Sequence, residues 1–217
     1  MILTATHITK TFTSPQKIKL LSDISLSLPA GASLAITGKS GEGKTTLLQI
    51  LGTLEKADSG TLTIAGQTVT PSLAPTLRNQ HIGFIFQSFN LLEDFTALEN
   101  ILMPLRIARK PASPAHALAL LDAVGLTSRA HFPAKLLSGG EKQRIAIARA
   151  LVTSPDLILA DEPSGNLDHE NAAAIHDLLF SLVRERKKTL VLATHDLDLA
   201  ARCDQRMILC QGNLRNW

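Results

Sequence analysis

The chain has 217 residues, 45% of them apolar, and a formal net charge of +3. That is enough apolar material for one large domain with a buried core, and too weak a positive balance to mark a nucleic-acid binder. Seven Phe, one Trp and no Tyr leave no aromatic residues interleaved with Lys and Arg for stacking single-stranded bases, so nucleic acid is not an expected partner.

In chain order, residues 1–37 cluster β-formers in "ILTATHIT", "IKLLSDISLSL" and "SLAITG". They read as strands joined by turns at "SPQ" and "PAG". A helix is expected from Lys44 to about Gly52, then a short strand at "GTLTIAG". "HIGFIFQ", residues 81–87, reads as a buried strand ending in polar Gln87. From about 90 to 153 the spacing turns helical, in "TALENILMPLRIARK", "PAHALALLDAVG" and "EKQRIAIARALV". "LILADEP" reads as a buried strand. "ENAAAIHDLLFSLVRERKK" reads as a long amphipathic helix with cations at its C-terminal end. "TLVLATHD" is another strand, and "MILCQGNLRNW" a hairpin turned at Gln211-Gly212-Asn213. This order predicts one α/β domain over 1–217. A β-rich lobe (about 1–36 and 60–70) and a helical insert (about 90–153) attach to a core formed by the remainder.

Cys203 and Cys210 fit no zinc or redox spacing and read as buried, reduced thiols. The histidines are scattered, so no structural metal site is expected. "MILTATHITK" lacks the pattern of a signal peptide, and no apolar run reaches the roughly 18 residues of a membrane span. The expectation is a soluble, cytoplasmic protein that would reach a membrane only through a partner.

The chemistry begins at "GKSGEGKTT", Gly38 to Thr46, which fits G-x-x-x-x-G-K-[ST] at Gly38, Gly43, Lys44 and Thr45. It follows a strand and precedes a helix, the context such a loop needs. The glycines turn backbone N–H groups inward around phosphate oxygens. Lys44 sets a charge at the β- and γ-phosphates, and the Thr45 hydroxyl can hold Mg²⁺. Ser40, Gly41 and Thr46 belong to the same cradle. Lys39 and Glu42 also lie within it and read as solvated. Asp161 ends the strand in "LILADEP", where ligands of open α/β sheets collect, and is a candidate Mg²⁺ ligand. Glu162, next along, is the candidate general base for an attacking water. His195 and Gln87 end two further apolar strands. Each is either a site residue (His195 at a γ-phosphate and Glu162, Gln87 at Mg²⁺ or the water) or an ordinary strand-end polar group.

"LLSGGEKQR", Leu136 to Arg144, raises a different question. Ser138 to Glu141 spells S-x-x-E, a capping box in which Ser and Glu satisfy two helix-start amides. That leaves Gly139 and Gly140 unexplained, since each costs a helix about 0.8–1 kcal/mol relative to Ala. Two glycines in a first turn point to something close against the backbone. A helix start with bare amides is an anion site.

Taken together, Gly38–Thr45, Gln87, "LSGGE" at 137–141, "LILADEP", "SGNLD" at 164–168 and His195 stand in the order found in ABC-transporter ATPase subunits. The chain resembles that family over essentially its whole length. The resemblance implies a P-loop NTPase (RecA-like) core with an antiparallel β-subdomain and an inserted helical subdomain. It implies ATP and Mg²⁺ as cofactors and catalytic roles for Lys44, Glu162 and His195. It further implies a head-to-tail pair of identical subunits, in which Ser138, Gly139 and Gly140 of one copy hold the γ-phosphate on the other. Asp168 would cross that interface, and Phe12 would stack on adenine. Lys142, where Gln or Arg is common, is expected to be neutral. "FIFQSFNLLEDFTALENILMPL" with "ADEPSGNLD" resembles the lipoprotein-releasing, macrolide-exporting and cell-division-associated group, departing from it at Glu93-Asp94-Phe95. The tail resembles an exporter ATPase paired with a large permease, and no C-terminal regulatory domain is expected beyond Trp217. The partner implied is an integral membrane permease at the inner face of the cytoplasmic membrane. It would meet Phe89 and Leu92, while Leu91, Phe95 and Leu98 read as core. The alternative is an ABC ATPase without a transport role, a mechanical signaller or an iron–sulfur assembly type.

Overall fold

The structure is a computed structural model and describes residues 1–14 and 17–217. Part of the expected "SPQ" turn, Pro15 and Gln16, therefore lies outside the described residues. Strands β1 (Leu3–Phe12) and β2 (Ile18–Leu28) pair antiparallel. Strand β3 (Ser33–Thr37) leads through the glycine-rich loop into helix α1 (Lys44–Leu51). Then come β4 (Ser59–Ile64), β5 (Gln67–Thr68), α2 (Ala74–His81) and β6 (Ile82–Ile85). Three helices follow, α3 (Ala97–Ile107), α4 (Pro114–Ala123) and α5 (Gly139–Leu151). The chain closes with β7 (Leu157–Asp161), α6 (His169–Glu185), β8 (Thr189–Ala193), α7 (Leu197–Ala201), β9 (Gln205–Cys210) and β10 (Asn213–Asn216).

The strands form two sheets. One is antiparallel, in the order β2-β1-β4-β5. The other runs β10-β9-β3-β8-β7-β6 and is parallel except for β10. Strands β3, β7 and β8 are buried along nearly their whole length, which is why they read as unbroken apolar runs. Their side chains still divide with period two. Leu34, Ile36, Leu157, Leu159 and Val191 join the core shared with α1 and the antiparallel sheet. Ala35, Ile158, Ala160, Leu190 and Leu192 join the core shared with α3–α6.

Because the inner strands are parallel, their C-terminal ends share one edge. Ile36 lies beside Ala193, Ala193 beside Asp161, and Ala160 beside Ile85. The residues that follow these ends are the glycine-rich loop, His195, Glu162 and Gln87. Four stretches far apart in sequence are thus delivered to one place.

Several elements differ from expectation. Helix α2 is an addition, since no element is expected between "GTLTIAG" and "HIGFIFQ". Pro75 sits at the helix start, where its missing N–H is not needed. His81 ends α2 and β6 stops at Ile85, so Gln87 stands in the loop beyond the strand. Helix α7 is a single turn capped by Asp196, too short for an apolar period to mark it. Helix α6 ends before Arg186-Lys187-Lys188, leaving Arg184 in its last turn. The closing hairpin is as expected, with Gln211 (φ 50) and Gly212 (φ 74) both left-handed in a two-residue turn. Cys203 is buried, and burial pushes its thiol up to about 11. Cys210 is only half-buried, since β9 has nothing beyond it but the edge strand β10.

Candidate nucleotide site

The loop after β3 is shaped by its glycines. A side chain at Gly38 would collide with the Leu209 carbonyl, and one at Gly43 would stand 2.9 Å from Leu20 Cγ. Gly41 (φ 83) and Gly43 (φ 100) occupy the left-handed region that favours glycine. Gly43 caps α1 without offering a side-chain acceptor, and no acid lies in the first turn. The first amides of α1 and its dipole therefore face outward for an anion. Lys44 is buried. Its Nζ donates to the carbonyls of Gly38 (2.8 Å) and Lys39 (3.2 Å) and lies 4.0 Å from Glu162 Oε1.

A cavity of about 610 Å³ opens here. Ser40, Gly41, Gly43, Lys44, Thr45, Thr46, Gln87, Glu162 and His195 line it, all singled out from the sequence. Leu20, on β2, completes the wall. It carries no motif, and nothing in the sequence marks it. Glu42, expected to be solvated, instead accepts from the Gln211 N–H at 2.6 Å and ties the loop to the closing hairpin. Lys39 is exposed as expected. Phe12 does not line the cavity. It stands exposed at the end of β1, with Lys10 Nζ 5.2 Å from its ring centroid. Lys10 is held in turn by Glu55 at 2.5 Å.

Asp161 closes β7, and its Oδ1 is buried with no hydrogen-bond partner among the described residues. Burial pushes this carboxyl up, while the neighbouring Thr45 hydroxyl pulls it down. Thr45, Gln87 and Asp161 share a second cavity, of about 220 Å³. An orphaned buried carboxylate oxygen beside a hydroxyl and an amide is an all-oxygen donor set, the kind a hard divalent cation takes. Glu162 has a left-handed backbone (φ 44), a conformation that costs a non-glycine residue of order 1–3 kcal/mol. Its N–H donates to Ala193 O at 2.9 Å, and its carbonyl accepts from Gly165 N–H at 3.0 Å. The turn aims the carboxylate at His195, whose Nδ1 lies 3.0 Å from Glu162 Oε2. Thr194 Oγ1 approaches the same oxygen at 3.4 Å.

Ser138, Gly139 and Gly140 stand outside both cavities. The capping box is complete. Ser138 Oγ accepts from Glu141 N–H at 3.3 Å, and Glu141 Oε2 accepts from Ser138 N–H at 2.8 Å. The Ser138 amide, with Arg129 behind it, holds the Glu141 carboxyl low against the effect of burial. Both glycines are helical, and part of what crowds them belongs to the same chain. A Cβ at Gly139 would be 3.3 Å from Leu167 Cδ2, and one at Gly140 would be 3.1 Å from Asn171 Oδ1. Asp168 caps α6 by accepting from Asn171 N–H at 3.0 Å.

Asn166 and Arg149 hold the first part of the loop after Gln87. Asn166 Nδ2 donates to Gln87 O at 2.8 Å. Arg149, on α5, donates to Asn90 O and, at 2.7 Å, to Phe89 O. Both of those residues are left-handed (φ 57 at Phe89, 50 at Asn90), and burial brings the guanidinium down to about 10. The available signal was a cation inside the apolar run "RIAIARALV". Leu91 and Leu98 pack on the core as expected. Phe95, expected in the core, is exposed. It precedes the cap Thr96, and the helix position it would staple to holds Asn100. Phe89 is half-buried and faces Gly139, while Leu92 is exposed. Leu92, Phe84, Phe86, Met103 and Ile107 line a groove of about 590 Å³.

A phosphate-cradling loop at the carboxyl edge of a parallel sheet, facing a carboxylate pair and a histidine, defines a P-loop nucleoside triphosphatase. Residues 21–165 match the protein family described as ABC transporter. Three curated relatives carry the name lipoprotein-releasing system ATP-binding protein LolD. That of Protochlamydia amoebophila is 52% identical, covering 99% of this chain and 96% of its own. Those of Treponema pallidum (47%; 98% and 97%) and Bacteroides fragilis (46%; 95% and 97%) are also similar over nearly their whole length. Two solved structures of a bacterial ABC transporter cassette superpose with a TM-score of 0.89. One is a dimer, 35% identical over 99% of this chain and 97% of its own. The other is a dimer in a post-hydrolysis state bound to ADP and Pi, 34% identical over 99% and 98%. The chain belongs to the ABC transporter family and is its ATP-binding, ATP-hydrolysing cassette. Among the described residues, no helix is long and apolar enough to cross a membrane.

Proposed function

We propose that this chain drives a lipoprotein-releasing exporter, working as a head-to-tail pair of identical copies beneath an integral permease on the inner face of the cytoplasmic membrane. The full-length similarity to lipoprotein-releasing ATP-binding proteins supports the type of exporter. The observation that carries the paired arrangement is a split. One cavity gathers Lys44, Thr45, Gln87, Glu162 and His195, while the glycine-led start of α5 stays outside it. Two copies placed head to tail would each lend Ser138, Gly139 and Gly140 to the other's cavity, giving two equivalent sites.

In such a site the Thr45 hydroxyl, Asp161 carboxylate and Gln87 amide would hold Mg²⁺, whose charge offsets that of the β- and γ-phosphates. Lys44 exchanges the Gly38 and Lys39 carbonyls for phosphate oxygens. Phe12 offers its free ring face to adenine. Glu162 takes a proton as water adds to the γ-phosphorus and the bond to the ADP oxygen breaks. His195 Nδ1 and Thr194 Oγ1 orient that carboxylate. The groove at Leu92, Met103 and Ile107 receives a cytoplasmic segment of the permease. Arg149 ties the loop beside that groove to α5, and Asn166 ties Gln87 to the turn after Glu162.

The test is Glu162→Gln. It should bind ATP, accumulate as a dimer on size exclusion and lose turnover by on the order of 10²–10⁴-fold. Near-normal turnover would remove Glu162 as the base. For the exporter type, turnover of the complex with its permease should rise on adding an acylated lipoprotein. A flat response sinks the lipoprotein-release assignment.

A further inference from the structure

We propose that His176 is a positioning residue for hydrolysis: its hydrogen bond to Ser164 fixes the turn that joins Glu162 to the Gln87 loop and to the start of α5. The proposal rests on Glu162 being the base.

His176 lies on the buried face of α6, beside Ile175, Leu179 and Phe180, and is only 8% exposed. Its Nε2 is 2.7 Å from Ser164 Oγ. A buried histidine with one hydrogen bond is, by itself, an ordinary satisfied core group. What distinguishes this one is the segment it grips. The turn from Glu162 to Asp168 touches three parts of the site. Its first residue is the base. Asn166 donates to the Gln87 carbonyl. Leu167 packs where a side chain on Gly139 would otherwise stand.

Among the described residues, two side-chain hydrogen bonds join Ser164–Leu167 to the rest of the chain. The bond from Asn166 links one site loop to another. The bond to His176 anchors the turn to a long helix packed into the core. Glu162 needs such an anchor, because a left-handed non-glycine backbone persists only where its surroundings determine it. Ala193 O holds it from the N-terminal side. Ser164, two residues on, holds it from the other.

The ring is also placed to respond to pH. Burial lowers its pKa below the ordinary 6.5, with Asp196 and Asp177 opposing and Arg202 assisting. Asp196 caps α7, Arg202 follows it, and Asp177 neighbours His176 on α6 and accepts from Arg202 at 2.8 Å. In the unfolded chain the imidazole takes a proton first. The contribution of the neutral ring is therefore full above about pH 6.5 and is lost as pH falls through the lower folded value.

The test measures steady-state ATPase kinetics of the full chain with His176→Leu, His176→Gln, Ser164→Ala and the double variant His176→Leu/Ser164→Ala. His176→Leu and Ser164→Ala should each lower kcat about tenfold, as expected for one lost hydrogen bond. The KM for ATP should stay within about twofold, because the bond makes no contact with nucleotide. The double variant should be no slower than either single one. His176→Gln, whose amide reaches the position of Nε2, should recover most of the loss, and the part of the wild-type acid limb that follows the lowered folded value of His176 should be absent from it. Unchanged kcat in folded His176→Leu, multiplied losses in the double variant, or the same acid limb in His176→Gln would each overturn the proposal. If His176→Leu does not fold, Ser164→Ala, which removes one hydroxyl from a half-buried turn, carries the kcat test. Wild-type hydrolysis and its loss in Glu162→Gln judge the base separately, so a silent His176 leaves that assignment standing.

Discussion

Helices α1 and α5 both start at glycines in this chain, and their starts are finished differently. Helix α1 begins at left-handed Gly43 with no side chain on its first amides, no acid in its first turn, and the buried cation of Lys44. Helix α5 begins with a complete capping box, and its Glu141 carboxylate is held ionised by the Ser138 amide and Arg129. The macrodipole is the same in kind at both ends. At α1 it stands free for an anion. At α5 much of the demand is met internally, which leaves the proton of the Ser138 hydroxyl and the Gly139 and Gly140 amides outside the box. The contrast teaches that glycine at a helix start does not by itself make a phosphate site. The cap decides whether the end can hold an anion alone or can only complete a site formed elsewhere.

The largest effect should come from breaking the self-sufficient end. Lys44→Ala should lower turnover by about 10²–10³-fold or more, with ATP binding lost in equilibrium titration. Ser138→Arg should also stop turnover while leaving ATP binding to the single chain. An equimolar mixture of these two inactive variants should regain activity from about a quarter of its sites, because each mixed pair keeps one intact composite site. A mixture that stays silent would mean that α5 does not serve a second copy. Arg149→Leu should act more mildly. It strips the donor from two carbonyls of left-handed residues and should cost about 1–3 kcal/mol, read as a lower Tm with ATP binding at α1 kept. The smallest effect concerns the cap. The Glu141 carboxyl is held below its ordinary 4.5, so its contribution is full above that pH and is lost as pH falls through the lower folded value. Glu141→Gln should flatten this part of the acid unfolding curve, and an unchanged curve would mean the carboxylate does not hold the cap.

Much of this was legible in the sequence because it is local. A capping box, a two-residue turn at Gln211-Gly212 and an apolar run of strand length each declare themselves within a few residues. Residues without local character escaped. Leu20 walls the nucleotide cavity from another sheet, and Glu42 is claimed by a backbone amide 169 positions away. Phe95 is apolar and looked like core, but lies one step outside the cap of the helix whose stripe would have buried it. Arg149 and His176 were embedded in helices whose periodicity was already explained.

The sequence by itself determined the site's chemistry and the strands that carry it. Glycine spacing, a lysine, acids at a strand end and period-two apolar runs follow from backbone geometry and short-range sterics. The tertiary structure decided which of these groups meet. Lys44, Glu162 and His195 converge because four parallel strands end in register on one edge, and parallel pairing joins segments too far apart for any local signal to foretell. It also decided that the start of α5 stays outside that cavity, because packing against Leu167 and Asn171 fixes it there.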